Sequence, residues 1–401
     1  MLNCCYSERT PTQRSEELDL QESSEHQEIR AAVRSIVADY SHDWYVKRAR
    51  SGLKVAELWE AIGDAGFIGV NLPEEYGGGG MGIQELAIVG EELAFAGSPL
   101  LMLIVSPAIC GTVIARFGTD EQKQRWLPGL ATGKIKMAFA ITEPDAGSNS
   151  HNIATAGRRD GDDWLLSGTK YYCSGADEAD ALLVVARTGV DEATGRARLS
   201  LFIVETPNAQ LQMTLIPVEV TAPEKQFTLF FDDVRVPSTG LLGEVDEGLR
   251  QIFYGLNPER IMSAAVSNGI GRFALDRGAR YARDRKVWGA PIGTHQGLAH
   301  PLAEAYVHVE LARLMTSRAA WLYDAGLDAG ESSNMAKFAA ADAAVEALDR
   351  AIQIHGGNGM STEYGLADAW GFARVLRIAP VSREMVLNYV SQHSLGLPRS
   401  Y

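Results

Sequence analysis

The sequence predicts a mostly helical α+β protein in three parts: an N-terminal helical domain, a middle β-barrel or β-sandwich domain and a C-terminal helical bundle. Three observations predict it. From Gln27 to about Lys136 the chain is alanine-rich, with apolar residues three and four apart. The period then shortens to runs rich in β-branched, aromatic and leucine residues, separated by Gly, Asp, Asn or Pro clusters. After Gly243 the helical period returns. The expected parts are a tail over 1–25, helices over 26–136, the β domain over 137–246 and the bundle over 247–401.

The tail is rich in Glu, Ser and Gln and reads as solvated. It lacks the basic start and apolar stretch of a signal peptide, and it is too acidic for a transit peptide. Within the first helical part, Leu72-Pro73-Glu74-Glu75-Tyr76-Gly77-Gly78-Gly79-Gly80 must be a loop, since four glycines do not hold a helix. The uncharged run 93–115 is long enough to consider as a membrane span. Gly97, Pro99, Pro107 and Gly111 interrupt it, so a buried helix pair is expected and no membrane insertion. Expected strands lie at 164–166, 181–185, 199–204, 214–218 and 227–231. In the last part Met262, Val266, Ile270 and Phe273 share one helix face. Val345, Leu348 and Ile352 share another, before Gly356-Gly357 ends that helix.

Composition excludes some functions. With 37 Lys+Arg against 51 Asp+Glu, the formal charge is -14, which argues against nucleic acid and anionic lipid as partners. Cys4, Cys5, Cys110 and Cys173 have no metal-ligand or redox-pair spacing, and suit a reducing compartment, the cytoplasm. His295, His300 and His355 have no ligand spacing either, so no metal is expected. Gly269-Ile270-Gly271-Arg272-Phe273-Ala274 matches a dinucleotide-binding pattern, but it sits inside a helical run with no strand before it. Close helix packing on small residues is the expected reading.

The segment Ala138-Phe139-Ala140-Ile141-Thr142-Glu143-Pro144-Asp145-Ala146-Gly147-Ser148-Asn149 is a polar loop entering the β domain. Its hydroxyls and glycine suit hydrogen bonding to a flat heterocycle. It resembles the flavin-binding signature of acyl-CoA dehydrogenases. Further ordered segments resemble the same family: Trp164 to Gly175, Phe231-Asp232-Asp233-Val234-Arg235-Val236-Pro237, Arg285-Lys286-Val287-Trp288-Gly289 with Ile292 and Gln296, Gln353-Ile354-His355-Gly356-Gly357-Asn358-Gly359, and Gly118-Thr119-Asp120-Glu121-Gln122-Lys123. The resemblance covers about 27–390.

That resemblance implies that the C-terminal part is a four-helix bundle, with one FAD per subunit between the β domain and the bundle. Phe139, Ile141, Thr142, Gly147 and Ser148 would meet the flavin. Tyr172 would lie against its ring, with Ser174 beside it. Arg285, Trp288, Gln296, Gln353 and Gly357 would hold the pyrophosphate and adenine side from a neighbouring subunit, in a homodimer or homotetramer. Ser382 and Glu384 complete the expected cofactor set, and Ser148, Asn257 and Arg260 the substrate-side set.

The implied reaction is α,β-dehydrogenation of an acyl-CoA thioester in fatty-acid metabolism, with electrons passed to an electron-transferring flavoprotein. It needs a general base at the α-carbon and hydrogen bonds to the thioester oxygen. Most members carry the base in a late segment that here reads Ile378-Ala379-Pro380-Val381-Ser382-Arg383-Glu384, with Pro380 at the base position. Proline can neither accept the proton nor offer the main-chain N–H that helps bind the thioester oxygen in the family. Isovaleryl-type and long-chain-type members place the Glu in a Glu-Arg pair at a bundle helix, which resembles Asn257-Pro258-Glu259-Arg260. Glu259 is therefore the expected base. Asn257 as N-cap and Pro258 as first helical residue would put it in a first turn, where the helix dipole favours its ionised form. Ala379 and Pro380 replace larger residues, so a branched or bulky acyl group is expected. A flavin oxidase or monooxygenase on the same fold, and a non-catalytic acyl-CoA-binding subunit, are the competing functions.

Overall fold

The computed structural model describes residues 22–399. The expected tail, with Cys4 and Cys5, falls almost wholly outside the described residues. Order begins a little earlier than expected: Ser23 caps α1 (Ser24–Val37), its hydroxyl accepting from His26 N at 3.1 Å. Helices α2 (His42–Arg50), α3 (Ala56–Asp64) and α4 (Ile83–Phe95) follow. The glycine loop before α4 is a tight turn. Gly77 has φ 83°, and a Cβ on Gly78 would lie 2.3 Å from Leu72 O.

The 93–115 run is buried, but it is not the expected pair of ordinary helices. After α4 it forms a π-helical stretch, Ile104–Gly111, that runs into α5 (Thr112–Phe117). Pro107 lies inside the stretch, where the wider turn accommodates a residue with no N–H to donate. Among the described residues no helix is long and apolar enough to cross a membrane. In α6 (Asp120–Thr132) the Gly118-to-Lys123 segment shows its physical basis, a capping box between Thr119 and Gln122. The Gln122 amide also donates to Thr239 O and Leu241 O, both at 2.8 Å, and fastens the helices to the next domain.

The middle domain holds β1 (Met137–Ala140), β2 (Ala156–Asp160), β3 (Asp163–Ser174), β4 (Ala181–Val190), β5 (Ala197–Glu205), β6 (Leu211–Ile216), β7 (Gln226–Val236) and β8 (Leu241–Leu242). They form one sheet in the order β6-β7-β3-β2-β4-β5-β8, with β1 parallel to β4. All five expected strands are present, though the one expected at 214–218 starts and ends earlier, as β6. Strand β2 carries no apolar alternation (Ala-Gly-Arg-Arg-Asp). Its pairing, along its whole length with β3 and at Ala156 with β4, makes it a strand.

The C-terminal part contains α7 (Gly248–Asp284), a short ribbon of β9 (Lys286–Val287) and β10 (Ala290–Pro291), then α8 (Gln296–Asp324), α9 (Gly330–His355), α10 (Leu366–Ile378) and α11 (Arg383–Tyr389). Met262, Val266, Ile270 and Phe273 are buried along α7. The glycine pattern 269–274 is a packing device. A Cβ on Gly269 would lie 2.3 Å from Glu91 O of α4, and one on Gly271 would lie 2.8 Å from Val309 Cγ2 of α8.

One expectation fails in an informative way. Helix α7 does not start at Asn257. It starts at Gly248, so Asn257 is not its N-cap and Pro258 lies in its interior. An interior proline strands the carbonyl four residues earlier. That carbonyl, Tyr254 O, accepts a hydrogen bond from the Tyr323 hydroxyl of α8 at 3.1 Å. A tertiary contact thus satisfies the group that the local sequence leaves open.

Candidate active site

Two groups of expected residues lie on elements that pack against the π-helical stretch, one on the loop that follows β1 and one on the first half of α7. The first is the loop after β1. Glu143 and Ala146 form an antiparallel bridge. The Glu143 carboxylate accepts from Ala154 N at 2.7 Å, Thr155 N at 2.9 Å and Lys170 Nζ at 2.8 Å. Lys170, fully buried on β3, also donates to Ile141 O at 2.9 Å, and Tyr171 N donates to Thr142 O at 2.8 Å. Burial alone would raise the Glu143 carboxyl. The Lys170 ammonium and the Thr155 and Ala154 donors outweigh it and hold the group below its usual range. The loop is therefore bolted to β3 by an ion pair that never faces solvent.

What the loop presents outward fits a flavin. Ser148 is exposed, Thr142 is half-buried, and a Cβ on Gly147 would have no atom within 4 Å. Tyr172 stands on a left-handed backbone (φ 55°) with half its surface open, and Ser174 Oγ donates to Gln226 Oε1 at 2.9 Å. Phe139 and Ile141 are partly buried against the core behind. An open main chain, hydroxyls and an exposed ring are what a flat heterocycle with polar edges requires.

The second group surrounds Glu259, half-buried in the fourth turn of α7. Gly255, one turn before it, lets α7 approach the π-helical stretch. A Cβ there would sit 2.7 Å from Val113 Cγ2 and 3.2 Å from Ile109 O. Cys110 of that stretch is fully buried, its Sγ 3.9 Å from Ala138 O of β1, which links the surroundings of Glu259 to β1. Burial, and then the Glu259 charge, push the Cys110 thiol up. Glu259 itself is pushed up to about 7 by burial, against the pull of Arg260 and Lys337. The helix-dipole expectation for Glu259 is thus replaced: deep in α7 the carboxylate meets no helix terminus, and desolvation governs it. Arg260 donates to Leu256 O and to Asn257 Oδ1, each at 3.2 Å, while its buried Nε has no hydrogen-bond partner. Asn257 orients this guanidinium.

Pro380 lies between α10 and α11, and Ser382 caps α11 by accepting from Met385 N at 3.3 Å. Glu384, in the first turn of α11, is exposed. The remaining expected cofactor residues gather elsewhere. Arg285 ends α7, Trp288 is 91% exposed on the ribbon, Gln296 opens α8, and exposed Gln353 and Gly357 close α9. Ile292, Ile354 and Ala282 pack together beneath them. Twenty-six residues of α7 separate this end from Glu259, about 39 Å at 1.5 Å per residue. His355 stacks on Tyr281 at 4.1 Å and its Nδ1 lies 2.7 Å from Ala351 O. Among the described residues no group of three or more His, Cys, Asp or Glu could hold a metal ion.

Sequence reasoning missed Lys170 as the partner of Glu143, and Lys337, buried on α9 near Glu259. Only Lys337 leaves a faint signal, lying on the same helix face as Ser333, Ala340 and Ala344.

Known proteins match this chain over nearly its whole length. Residues 23–134, 138–234 and 246–395 match, in order, the N-terminal, middle and C-terminal domains of acyl-CoA dehydrogenases. Acyl-CoA dehydrogenase FadE12 of Mycobacterium tuberculosis is 58% identical over 383 residues, covering 95% of this chain and 98% of that protein. The structure of a glutaryl-coenzyme A dehydrogenase in complex with glutaryl-CoA superposes with a TM-score of 0.91 at 31% identity, covering 96% of this chain and 98% of that one. PigA with FAD and proline superposes at 0.89 with 26% identity, covering 95% and 100%. The fold and the site define a flavoprotein dehydrogenase with FAD as cofactor. The chain belongs to the acyl-CoA dehydrogenase family.

Proposed function

We propose that this chain converts an acyl-CoA thioester to the 2-enoyl-CoA, with Glu259 removing the α-proton. The observation that carries this is the Glu259 carboxyl on α7, placed beside Cys110 of the π-helical stretch and Lys337 of α9 and pushed up to about 7 by burial. When bound, FAD supplies the two-electron acceptor for the β-hydrogen. Arg260, oriented by Asn257, and Ser148 on the flavin-side loop are the substrate-side groups. Pro380 offers no N–H to the thioester oxygen, and its small neighbour Ala379 supports a branched or bulky acyl group.

The far end of α7 argues for a second copy. Arg285, Trp288, Gln296, Gln353 and Gly357 cannot reach a flavin beside the Glu259 of their own chain across about 39 Å of helix. They reach one only in a partner subunit, as a homodimer or homotetramer. Tyr306, Val307, Leu311 and Leu314 leave an apolar face on α8 available to that partner. An electron-transferring flavoprotein is the proposed acceptor.

The test is anaerobic mixing of the flavin-loaded protein with a panel of straight and branched acyl-CoA thioesters. Bleaching of the flavin is expected, fastest with branched chains, and absence of bleaching with every thioester sinks the proposal. Glu259→Gln should keep the flavin and abolish bleaching. With the base near 7, the rate of bleaching should rise roughly tenfold from pH 6 to pH 8, since the ionised fraction climbs from about 9% to about 91%. A flat profile would place the base elsewhere.

A further inference from the structure

Lys337 is 1% exposed, in the middle of alanine-rich α9, and no part of the reaction described above uses it. A lysine is placed there at high cost unless its ammonium has work that repays desolvation. Its hydrogen bonds show one part of that work. Nζ donates to Arg377 O at 3.3 Å and to Val381 O. Arg377 O belongs to the last turn of α10, where carbonyls have no intrahelical partner. Val381 O lies just past Pro380. Lys337 therefore caps α10 and clamps both sides of the Ala379-Pro380 turn.

The helix register shows the other part. Gly271 packs on Ala344, and Gly278 on Ala351, so α7 and α9 run parallel with both pairs offset by 73 (344 less 271, 351 less 278). Carried back along both helices, that offset sets Glu259 beside residue 332. Lys337 follows little more than one turn later, and a helical side chain leans toward the N-terminus of its own helix. Its head group is thus delivered to the level of Glu259, with two donors on the turn and a third free to point inward.

We propose that Lys337 is a positioning residue of the reaction: it clamps the Pro380 turn against the base, and its ammonium keeps the Glu259 carboxylate ionised in a desolvated site. This rests on Glu259 being the base. The charged and titratable groups around the pair are few. Glu259 is faced by Arg260 from its own helix, by Lys337 from α9 and by Cys110 from the π-helical stretch. Lys337 is faced by Asp342 on α9, Glu259 and Arg260 on α7, and Glu384 on α11. Tyr389 of α11 reaches Arg260. Burial pulls Lys337 down to about 8, against the opposing carboxylates, so it is mostly charged up to about pH 7, through the first half of the Glu259 titration.

The test reads the Glu259 proton directly. Infrared difference spectra of the flavin-loaded protein between pH 5 and pH 9 contain a carboxylic-acid C=O band, assigned to Glu259 by its loss in Glu259→Gln. In Lys337→Met the midpoint of that band should rise by at least about one pH unit, leaving roughly tenfold less ionised Glu259 at pH 7. Lys337→Arg should hold the parent midpoint, because it keeps the charge and the donors. Should Lys337→Met not fold, Lys337→Gln keeps an amide donor for the turn while removing the charge, and the same rise is expected. A folded Lys337→Met or Lys337→Gln protein with the parent midpoint overturns the inference and leaves the base assignment intact. Bleaching that survives Glu259→Gln overturns the base assignment itself.

Discussion

Replacing Glu259 by Gln should stabilise the protein at alkaline pH while removing its activity. The carboxyl is pushed from its ordinary 4.5 to about 7, because burial outweighs the attraction of Arg260 and Lys337. At about 1.4 kcal/mol per pH unit, the ionised form is disfavoured in the fold by roughly 3 kcal/mol, and by about half that where water reaches the carboxylate. The sign follows from the direction of the displacement. A carboxyl whose folded pKa is raised carries no penalty below about pH 4.5, loses stability as pH rises toward 7, and bears the full penalty above it. Gln is neutral throughout. Parent and variant should therefore unfold alike near pH 5. At pH 8 the variant should be the more stable, by roughly 1.5–3 kcal/mol. For a chain of this length the unfolding entropy is about 0.8 kcal/mol/K, so the gain appears as about 2–4 °C in Tm. The assay is thermal unfolding of both flavin-loaded proteins at the two pH values, with flavin content matched by absorbance. Equal Tm at pH 8, or a lower Tm for the variant, would refute the reasoning, because it would mean that paired cations rather than desolvation dominate the carboxylate.

Three further perturbations probe the elements that carry the site. Lys170→Met leaves the buried Glu143 carboxylate without its cation, at a cost of about 3–5 kcal/mol, and should lower the flavin absorbance per chain of purified protein. Tyr323→Phe strips the hydroxyl from Tyr254 O, the carbonyl freed by Pro258, and should lower stability by about 1 kcal/mol, read as a shift in the urea midpoint. Gly269→Ala places a methyl 2.3 Å from Glu91 O, so α4 and α7 must part; a loss of about 1–3 kcal/mol in thermal or urea unfolding is expected.

Much of the architecture was legible because it is written in local pattern. The 3.6 and 2.0 periods separate the helices from the strands without any knowledge of partners, which is why the three parts and the burial of Met262, Val266, Ile270 and Phe273 could be read directly. The glycine pattern at 269–274 was readable as packing for the same reason, since no strand precedes it. Strand β2 was not readable. Its residues carry no alternation, and its conformation is imposed by pairing with β3. The start of α7 was misread because Asn257-Pro258 is a strong local start signal. The signal lost to ten residues of helix before Pro258 and to a hydroxyl from α8 that meets the stranded carbonyl.

The sequence by itself determined the order of the three parts and the polar segment that enters the β domain, and it offered Glu259 as the candidate carboxyl in place of Pro380. Those are properties of neighbours along the chain, where spacing and residue type carry the physics. Only the tertiary structure decided how these groups behave. Glu143 is held ionised because Lys170 is folded beneath it. Glu224 accepts from Leu101 N at 2.9 Å and is pushed up to about 7, by burial first and then by Glu178. Glu259 is pushed up to about 7 by burial, beside the π-helical stretch and α9. Desolvation and ion pairing depend on what surrounds a group in space, and Lys337 lies 78 residues along the chain from the carboxylate whose charge it meets.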